Sequence, residues 1–252
     1  MKLKWFGTAS VALTGPSGSI LFDPFVPLKG SDVDTKLEDF DGFGHIFVTH
    51  GHFDHIVSIP AVVERNPGAS VYCTKTPFET LLKKGVPEKN LRLISFGQTL
   101  EAAGFEVSVR HGKHTPLPGI SPGLILHYLR YPGRRNAPFL LRENRICREN
   151  DETVFYHVSC GGKSVSLMGS LNIRDDVDYP CRADALVLPF NGVGDLCSLS
   201  DGIIRRLSPG RILLDHYDNT FPPLTQPVDA GPLLRTHSGK AELLEHKKEY
   251  EI

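Results

Sequence analysis

The sequence predicts a single layered α/β domain, on three observations. Short apolar or alternating runs separated by helical stretches recur along its 252 residues, as sheets packed against helices require. A chain of this length can bury a sizeable core, and no Pro/Gly/Ser-rich linker or charge block divides it. The third observation is local. Val48-Thr49-His50-Gly51-His52-Phe53-Asp54-His55 places three histidines and one aspartate in six consecutive positions, directly after an apolar run.

The elements follow in order. Lys2 to Thr8 and Ser10 to Leu13 have strand character; Gly15-Pro16-Ser17-Gly18 is a turn, and Ser19 to Asp23 is a strand stopped by Pro24. Val26 to Phe43 is polar and irregular, its Asp32, Asp34, Asp39 and Asp41 suited to capping or to solvent. Beyond the histidine-rich segment, Val57 to Arg65 reads as a helix and Ser70 to Cys73 as a strand. Pro77 to Lys84 is a helix opened by proline, and Leu91 to Ser95 a further strand. Phe105 to Arg110 alternates with strand period and delivers His111-Gly112-Lys113-His114-Thr115-Pro116. Gly and Pro are frequent from Gly119 to Gly133, and arginines at 130, 134, 135, 142, 145 and 148 give residues 116–150 a local positive excess. Thr153 to Ser159 and Lys163 to Met168 form a hairpin around Gly161-Gly162. Ala185 to Pro189 is an apolar strand, Asp195 to Leu207 an amphipathic helix ended by Ser208-Pro209-Gly210, and Arg211 to His216 a last strand. His45, His127 and His157 lie in strand-like contexts as packing residues. His237 and His246 fall in a polar C-terminal stretch and are expected to be solvated.

Composition excludes several classes. A net charge of −1 argues against a nucleic-acid partner, which would call for a basic excess. The first residues lack the apolar core of a signal peptide and no run reaches membrane-spanning length, so a cytoplasmic protein without a membrane partner is expected. The five cysteines, Cys73, Cys147, Cys160, Cys181 and Cys197, are odd in number and contain no Cys-x-x-Cys pair, as suits reduced thiols packed as small apolar residues. A small-molecule substrate is the expected partner, and a homo-oligomer stays open.

The histidine-rich segment carries the chemistry. His50 and His52 alternate along an extended backbone and can leave one face of a strand end. Asp54 and His55 lie where the chain turns and can point back to the same space. Imidazole and carboxylate suit divalent zinc, iron or manganese, and four such ligands supply halves of two metal sites.

His-x-His-x-Asp-His after a strand ending in Val-Thr resembles the signature of the metallo-β-lactamase superfamily. The resemblance covers most of the chain. It implies a four-layer αββα sandwich over residues 1–252 with the metal site along one edge, and an insertion at 116–150 over the cleft. It also implies a metal set of His50, His52, Asp54, His55, His114 and His216. His114 is preferred to His111 as the third histidine because His-Thr follows the strand, and His216 is the late histidine at a strand end, with Asp218 as a backup or supporting carboxylate. Asp23, before Pro24, is either a turn residue or a residue that shapes the site. The departure lies at Leu167-Met168-Gly169-Ser170. The family shows a metal-bridging aspartate where this chain has Ser170, and a hydroxyl is a poor ligand that brings no negative charge. Asp175, Asp176 and Asp178 follow in the next loop.

The implied function is a metal-dependent hydrolase. A metal-activated hydroxide would attack an ester, lactone or phosphodiester bond of a small, anionic substrate, with Asp54 as ligand or as the group that orients the nucleophile and takes its proton. Zn2+ is expected, as one or two ions, with Mn2+, Fe2+ and Ni2+ as alternatives. Within the superfamily the Leu167–Ser170 segment and Asp215-His216-Tyr217-Asp218-Asn219-Thr220-Phe221-Pro222-Pro223 look most like the ascorbate-6-phosphate lactonase group. The alternatives are a non-catalytic metal- or ligand-binding protein with a degenerate site, which Ser170 favours, and a nuclease, which a continuous basic track into the cleft would favour.

Overall fold

The computed structural model describes residues 1–116, 135–192, 194–225 and 228–252. Their strands are β1 (Lys2–Trp5), β2 (Val11–Gly15), β3 (Gly18–Phe22), β4 (His45–Phe47), β5 (Ser70–Cys73), β6 (Leu91–Leu93), β7 (Thr99–Ala102), β8 (Phe105–His111), β9 (Val154–Cys160), β10 (Lys163–Met168), β11 (Ala185–Pro189), β12 (Arg211–Asp215), β13 (Ala241–Leu243) and β14 (Glu249–Glu251). The helices are α1 (Phe53–Ile56), α2 (Ile59–Arg65), α3 (Lys75–Lys83), α4 (Ala137–Ile146), α5 (Leu196–Leu207) and α6 (Gly231–Thr236). Two mixed seven-stranded sheets result, ordered β14-β1-β2-β3-β4-β5-β6 and β13-β12-β11-β10-β9-β8-β7.

Side-chain alternation along the strands builds three apolar layers, because successive residues point to opposite faces. Ile20 and Phe22 of β3, Ala185 and Val187 of β11 and Leu213 of β12 join the cluster between the sheets. Leu21 of β3 faces the other way, onto a cluster with Ile56, Ile59, Val62 and Leu81 of α1, α2 and α3 and Leu140 of α4. Leu186, Leu188, Ile212 and Leu214 face outward from the second sheet onto Ile203, Ile204 and Leu207 of α5 and Leu233 of α6. Helix, sheet, sheet and helix are therefore stacked in four layers, the αββα sandwich expected from the sequence.

Outside the histidine-rich segment, five elements were not anticipated. In α4 the buried positions are Leu140 and Glu143, so an apolar period is hardly present. Glu143 is 2 % exposed and receives the Lys84 ammonium and the Arg142 guanidinium, so an ion pair docks this helix. β7 continues through the turn at Ala103 and Gly104 into β8, pairing Thr99 with Ser108 and Ala102 with Phe105. β14 has one buried residue, Tyr250, and owes its strand form to antiparallel pairing with β1, Leu3 opposite Tyr250. α6 and β13 complete the C-terminal region, β13 pairing in parallel with β12. That packing also corrects the expectation for its two histidines. The rings of His237 and His246 are largely buried, His237 Nε2 lying 2.7 Å from Asp201 and His246 Nε2 2.8 Å from Thr35 Oγ1. His45 stacks on Tyr72 and His157 bonds Ser166, as packing residues should; His127, Arg130 and Arg134 lie outside the described residues.

Among the described residues no helix is long and apolar enough to cross a membrane. All five cysteines are free. Burial pushes the Cys73 and Cys147 thiols up to about 12, which leaves them inert, whereas Cys181 is exposed.

Candidate metal centre

Strand ends from both sheets meet at one edge of the sandwich, where the C-terminal ends of β4, β8 and β12 deliver the expected ligands. Strand β4 is extended by Val48, whose N–H donates to Tyr72 O at 2.9 Å and whose carbonyl accepts the Tyr156 hydroxyl at 2.6 Å. The next turn needs glycine. A Cβ on Gly51 would stand 2.1 Å from the carbonyl oxygen of Arg148, so the histidine-rich loop and the segment after α4 touch backbone to backbone. His52 then N-caps the single turn of α1, which turns Asp54 and His55 inward; both are buried. Thr8, in the turn after β1, and Asp23 and His216, directly after β3 and β12, all have positive φ (51°, 43° and 59°). Non-glycine residues occupy that region only when their surroundings hold them there. Here the His216 N–H donates to Thr8 O at 3.0 Å and the Thr8 N–H to Asp218 Oδ2 at 2.8 Å.

Two convergent donor groups form at this edge, His50 with His52 and His114, and Asp54 with His55 and His216. Within each, one donor atom per residue lies within 4.8 Å of the others. His50 Nε2 and His52 Nδ1 face each other at 3.0 Å. His114 Nδ1–H donates to its neighbour's carbonyl, Thr115 O, at 2.5 Å, leaving Nε2 for the centre. Asp54 Oδ2 lies 3.5 Å from His55 Nε2 and 3.3 Å from His216 Nε2. The His50 and His55 rings are 3.9 Å apart, so the two groups form one centre.

Beneath them Asp23, 0 % exposed, accepts from Thr49 N–H (2.8 Å), Thr49 Oγ1–H (2.6 Å) and His55 Nδ1–H (2.8 Å). Thr49 Oγ1, its proton given to Asp23, accepts from His50 Nδ1 at 3.1 Å. One buried carboxylate thus fixes two imidazoles with their Nε2 lone pairs facing the centre. This decides between the two roles open for Asp23: it shapes the site.

The electrostatics separate the groups. Burial drives His50 well below the usual imidazole range, with neighbouring histidines adding to the effect, and burial likewise lowers His52 to about 4 and also lowers His114. These three rings are neutral at pH 7, the form that ligates a metal. Burial opposes charge in the second group too, but the histidines outweigh it and hold the Asp54 carboxyl far below its ordinary range. Asp54 and Asp23 in turn raise His55, and the hydrogen bond and charge of Asp54 raise His216 to about 9, each against its burial.

A divalent cation fits this donor set. Two imidazole lone pairs facing at 3.0 Å repel unless a cation or proton lies between them, and three neutral histidines leave a tetrahedral ion one open position. The family model that describes the metallo-beta-lactamase superfamily matches residues 3–133. The chain belongs to that superfamily. Among its curated relatives is a UPF0173 metal-dependent hydrolase of Xanthobacter autotrophicus, 26% identical over 235 residues, covering 90% of this chain and 87% of the relative. A relative with the same designation in Pyrobaculum islandicum is 26% identical over 232 residues, 90% of this chain and 88% of that one. Among solved structures, the metallo hydrolase Igni18 of Ignicoccus hospitalis superposes with a TM-score of 0.65 at 17% identity, covering 100% of this chain and 98% of the other. Such distant likeness shows the fold. The expectation of a metal-dependent hydrolase agrees with these relatives.

Measured against the superfamily pattern, the structure brings all six expected ligands together. His111 stays outside the centre, stacked on Phe96 with Nε2 2.8 Å from Asp151 O. Ser170, in the bridging position, is buried and turned to the His114 loop: its Oγ accepts from Thr115 N–H at 3.0 Å and lies 3.2 Å from Thr115 Oγ1. None of Asp175, Asp176 or Asp178 joins either donor group, and the first two pair with Arg206 and Arg174. Asp218 also stays out of the donor groups and supports the loop of Thr8. Asn191, which follows β11, was missed. Its Nδ2 lies 3.2 Å from His216 Nδ1, and an asparagine in a loop carries no sequence signal that separates it from a turn former.

Proposed function

We propose that this superfamily member hydrolyses an ester, lactone or phosphodiester bond of a small anionic substrate in the cytoplasm, using zinc. The observation that carries the reading is the convergence of the two donor groups, with the His50 and His55 rings 3.9 Å apart and the buried Asp54 carboxylate within 3.5 Å of both imidazoles of the second group. His50, His52 and His114 would hold the first ion through neutral rings, and Asp54, His55 and His216 a second. When bound, a divalent cation supplies Lewis acidity, polarising the scissile group and lowering the pKa of water. Where the second site is empty, Asp54 would orient the attacking water or take up its proton, its Oδ2 lying among the second group's imidazoles. All six donors come from one chain, so the site needs no second copy.

Residues 116–150 would cover the cleft and select the substrate. Arg148 supports this: its carbonyl abuts Gly51 of the histidine-rich loop and the residue is exposed, so its side chain is free to meet a phosphate or carboxylate from a position next to that loop. Without a carboxylate at Ser170, the second ion should bind more weakly than the first.

The test is elemental analysis of purified protein for zinc, iron, manganese and nickel, beside His114→Ala, followed by a screen of lactones, esters and phosphodiesters. Expected is at least one ion per chain, lost in the variant, with turnover in the screen. Ion binding without turnover across the panel would favour the non-catalytic reading. No ion after reconstitution would sink both.

A further inference from the structure

The two histidines of the second donor group are held in opposite ways, although each lies beside Asp54. His55 Nδ1 meets a carboxylate, Asp23 Oδ2 at 2.8 Å, so Nδ1 carries the proton and Nε2 offers a lone pair. His216 Nδ1 meets an amide nitrogen, Asn191 Nδ2 at 3.2 Å. The orientation of that amide is fixed from its other end. Asn191 Oδ1 accepts the Gly192 N–H at 2.7 Å, and a flipped amide would set an NH2 against that N–H. In the neutral ring Asn191 therefore donates to His216 Nδ1, whose lone pair is engaged, and the one ring proton resides on Nε2. That nitrogen faces Asp54 Oδ2 at 3.3 Å.

We infer that Asn191 is a positioning residue that sets the tautomer of His216, making its Nε2–H a donor to Asp54 and leaving the second donor group short of one ligand lone pair. This rests on the metal-centre reading above and adds an asymmetry that the ligand list does not contain. The first group has lone pairs turned to the centre by Thr49 and by the Thr115 carbonyl. In the second, His216 must give up its Nε2 proton before it can ligate, and Asn191 must release Nδ1 to receive one. Ser170 compounds the effect, since its hydroxyl is turned to Thr115. The unaided protein thus holds one ion tightly, and Asp54 with His216 acts beside it as a hydrogen-bonded acid–base pair.

Replacing the donor by an acceptor should reverse the arrangement. In Asn191→Asp, one carboxylate oxygen keeps the Gly192 N–H and the other accepts from His216 Nδ1–H, freeing Nε2 as a ligand in the manner of Asp23 and His55. The experiment has two arms on the full chain. First, long-range 1H–15N correlation spectra of metal-free wild type, with His216 assigned from a His216→Gln sample, are recorded at the alkaline end where the ring is neutral. The expected state has the proton on Nε2; a proton on Nδ1 overturns the inference. Second, zinc is titrated calorimetrically into wild type, Asn191→Asp and Asn191→Ala. Expected are one tight ion in wild type and a second at least tenfold weaker, tightened about 10–100-fold in Asn191→Asp, the range typical of such supporting contacts, and by less in Asn191→Ala. Two ions of equal affinity in wild type, or a folded Asn191→Asp variant with an unchanged second ion, overturn it. If no zinc binds to any of the three, the metal reading fails, and the spectra still decide the tautomer.

Discussion

Removing the Asp23 carboxylate tests the frame beneath the centre most directly. In Asp23→Ala, Thr49 N–H and His55 Nδ1–H lose a common acceptor at a position that water cannot reach, and Thr49 Oγ1 loses its partner. An orphaned buried donor costs about 1–3 kcal/mol, and breaking a buried pair about 3–5 kcal/mol. The three bonds share one carboxylate and do not add freely, so a total of about 4 kcal/mol is expected. For a domain of this size that lowers Tm by about 8–16 °C. The assay is thermal unfolding of metal-free protein followed by circular dichroism, with Asp23→Asn as companion. Asparagine keeps the Thr49 N–H acceptor but turns an amide donor toward His55 Nδ1, so its Tm should fall by less than that of Asp23→Ala while second-ion affinity falls about 10–100-fold. A Tm loss below about 3 °C for Asp23→Ala would refute the role assigned to this carboxylate.

Further expectations follow from the same geometry. The stability of metal-free protein should peak near pH 6.5–7. His52 is held at about 4, so as pH falls below 6.5 the unfolded ring gains its proton first, and about 3 kcal/mol is lost by pH 4. His216 is raised to about 9, so its contribution, full below 6.5, is lost as pH rises through 9 and is also about 3 kcal/mol. Urea unfolding at pH 4.5, 6.5 and 9.5 checks both arms, and stability rising steadily across that range would contradict them. Ser170→Asp restores a carboxylate at the bridging position and can still accept from Thr115 N–H, so calorimetry should show a second ion tightened at least about tenfold; unchanged affinity would mean that position 170 does not face the centre. Gly51→Ala puts a methyl group 2.1 Å from Arg148 O. Separating those backbones at a cost of roughly 3 kcal/mol should lower Tm by about 6–12 °C, and a melt within about 2 °C of wild type would show that the two loops part freely.

Much of this molecule is written locally in its chain. Period-2 alternation in strands such as Ile20-Leu21-Phe22 and Arg211-Ile212-Leu213-Leu214 assigns each residue to one of two apolar layers before any packing is known, because pleating allows only two directions. His50, His52, Asp54 and His55 are legible because they lie within six residues, and that density of ligand types has no packing explanation. His114 and His216 were reached through resemblance, and both take their places in the centre. What the chain could not show depends on partners remote in sequence. β14 is a strand because β1 offers an edge, and α4 is docked by Glu143 meeting Lys84, a contact without periodicity. Asp23 looks like a turn residue until Thr49 and His55 close over it. Asn191 shows nothing until β11 and β12 lie side by side and bring its amide to His216. The identity of the ligands follows from residue type and spacing. Which nitrogen of each ring faces the centre follows from the second hydrogen bond each ring makes, and only the tertiary fold supplies that partner.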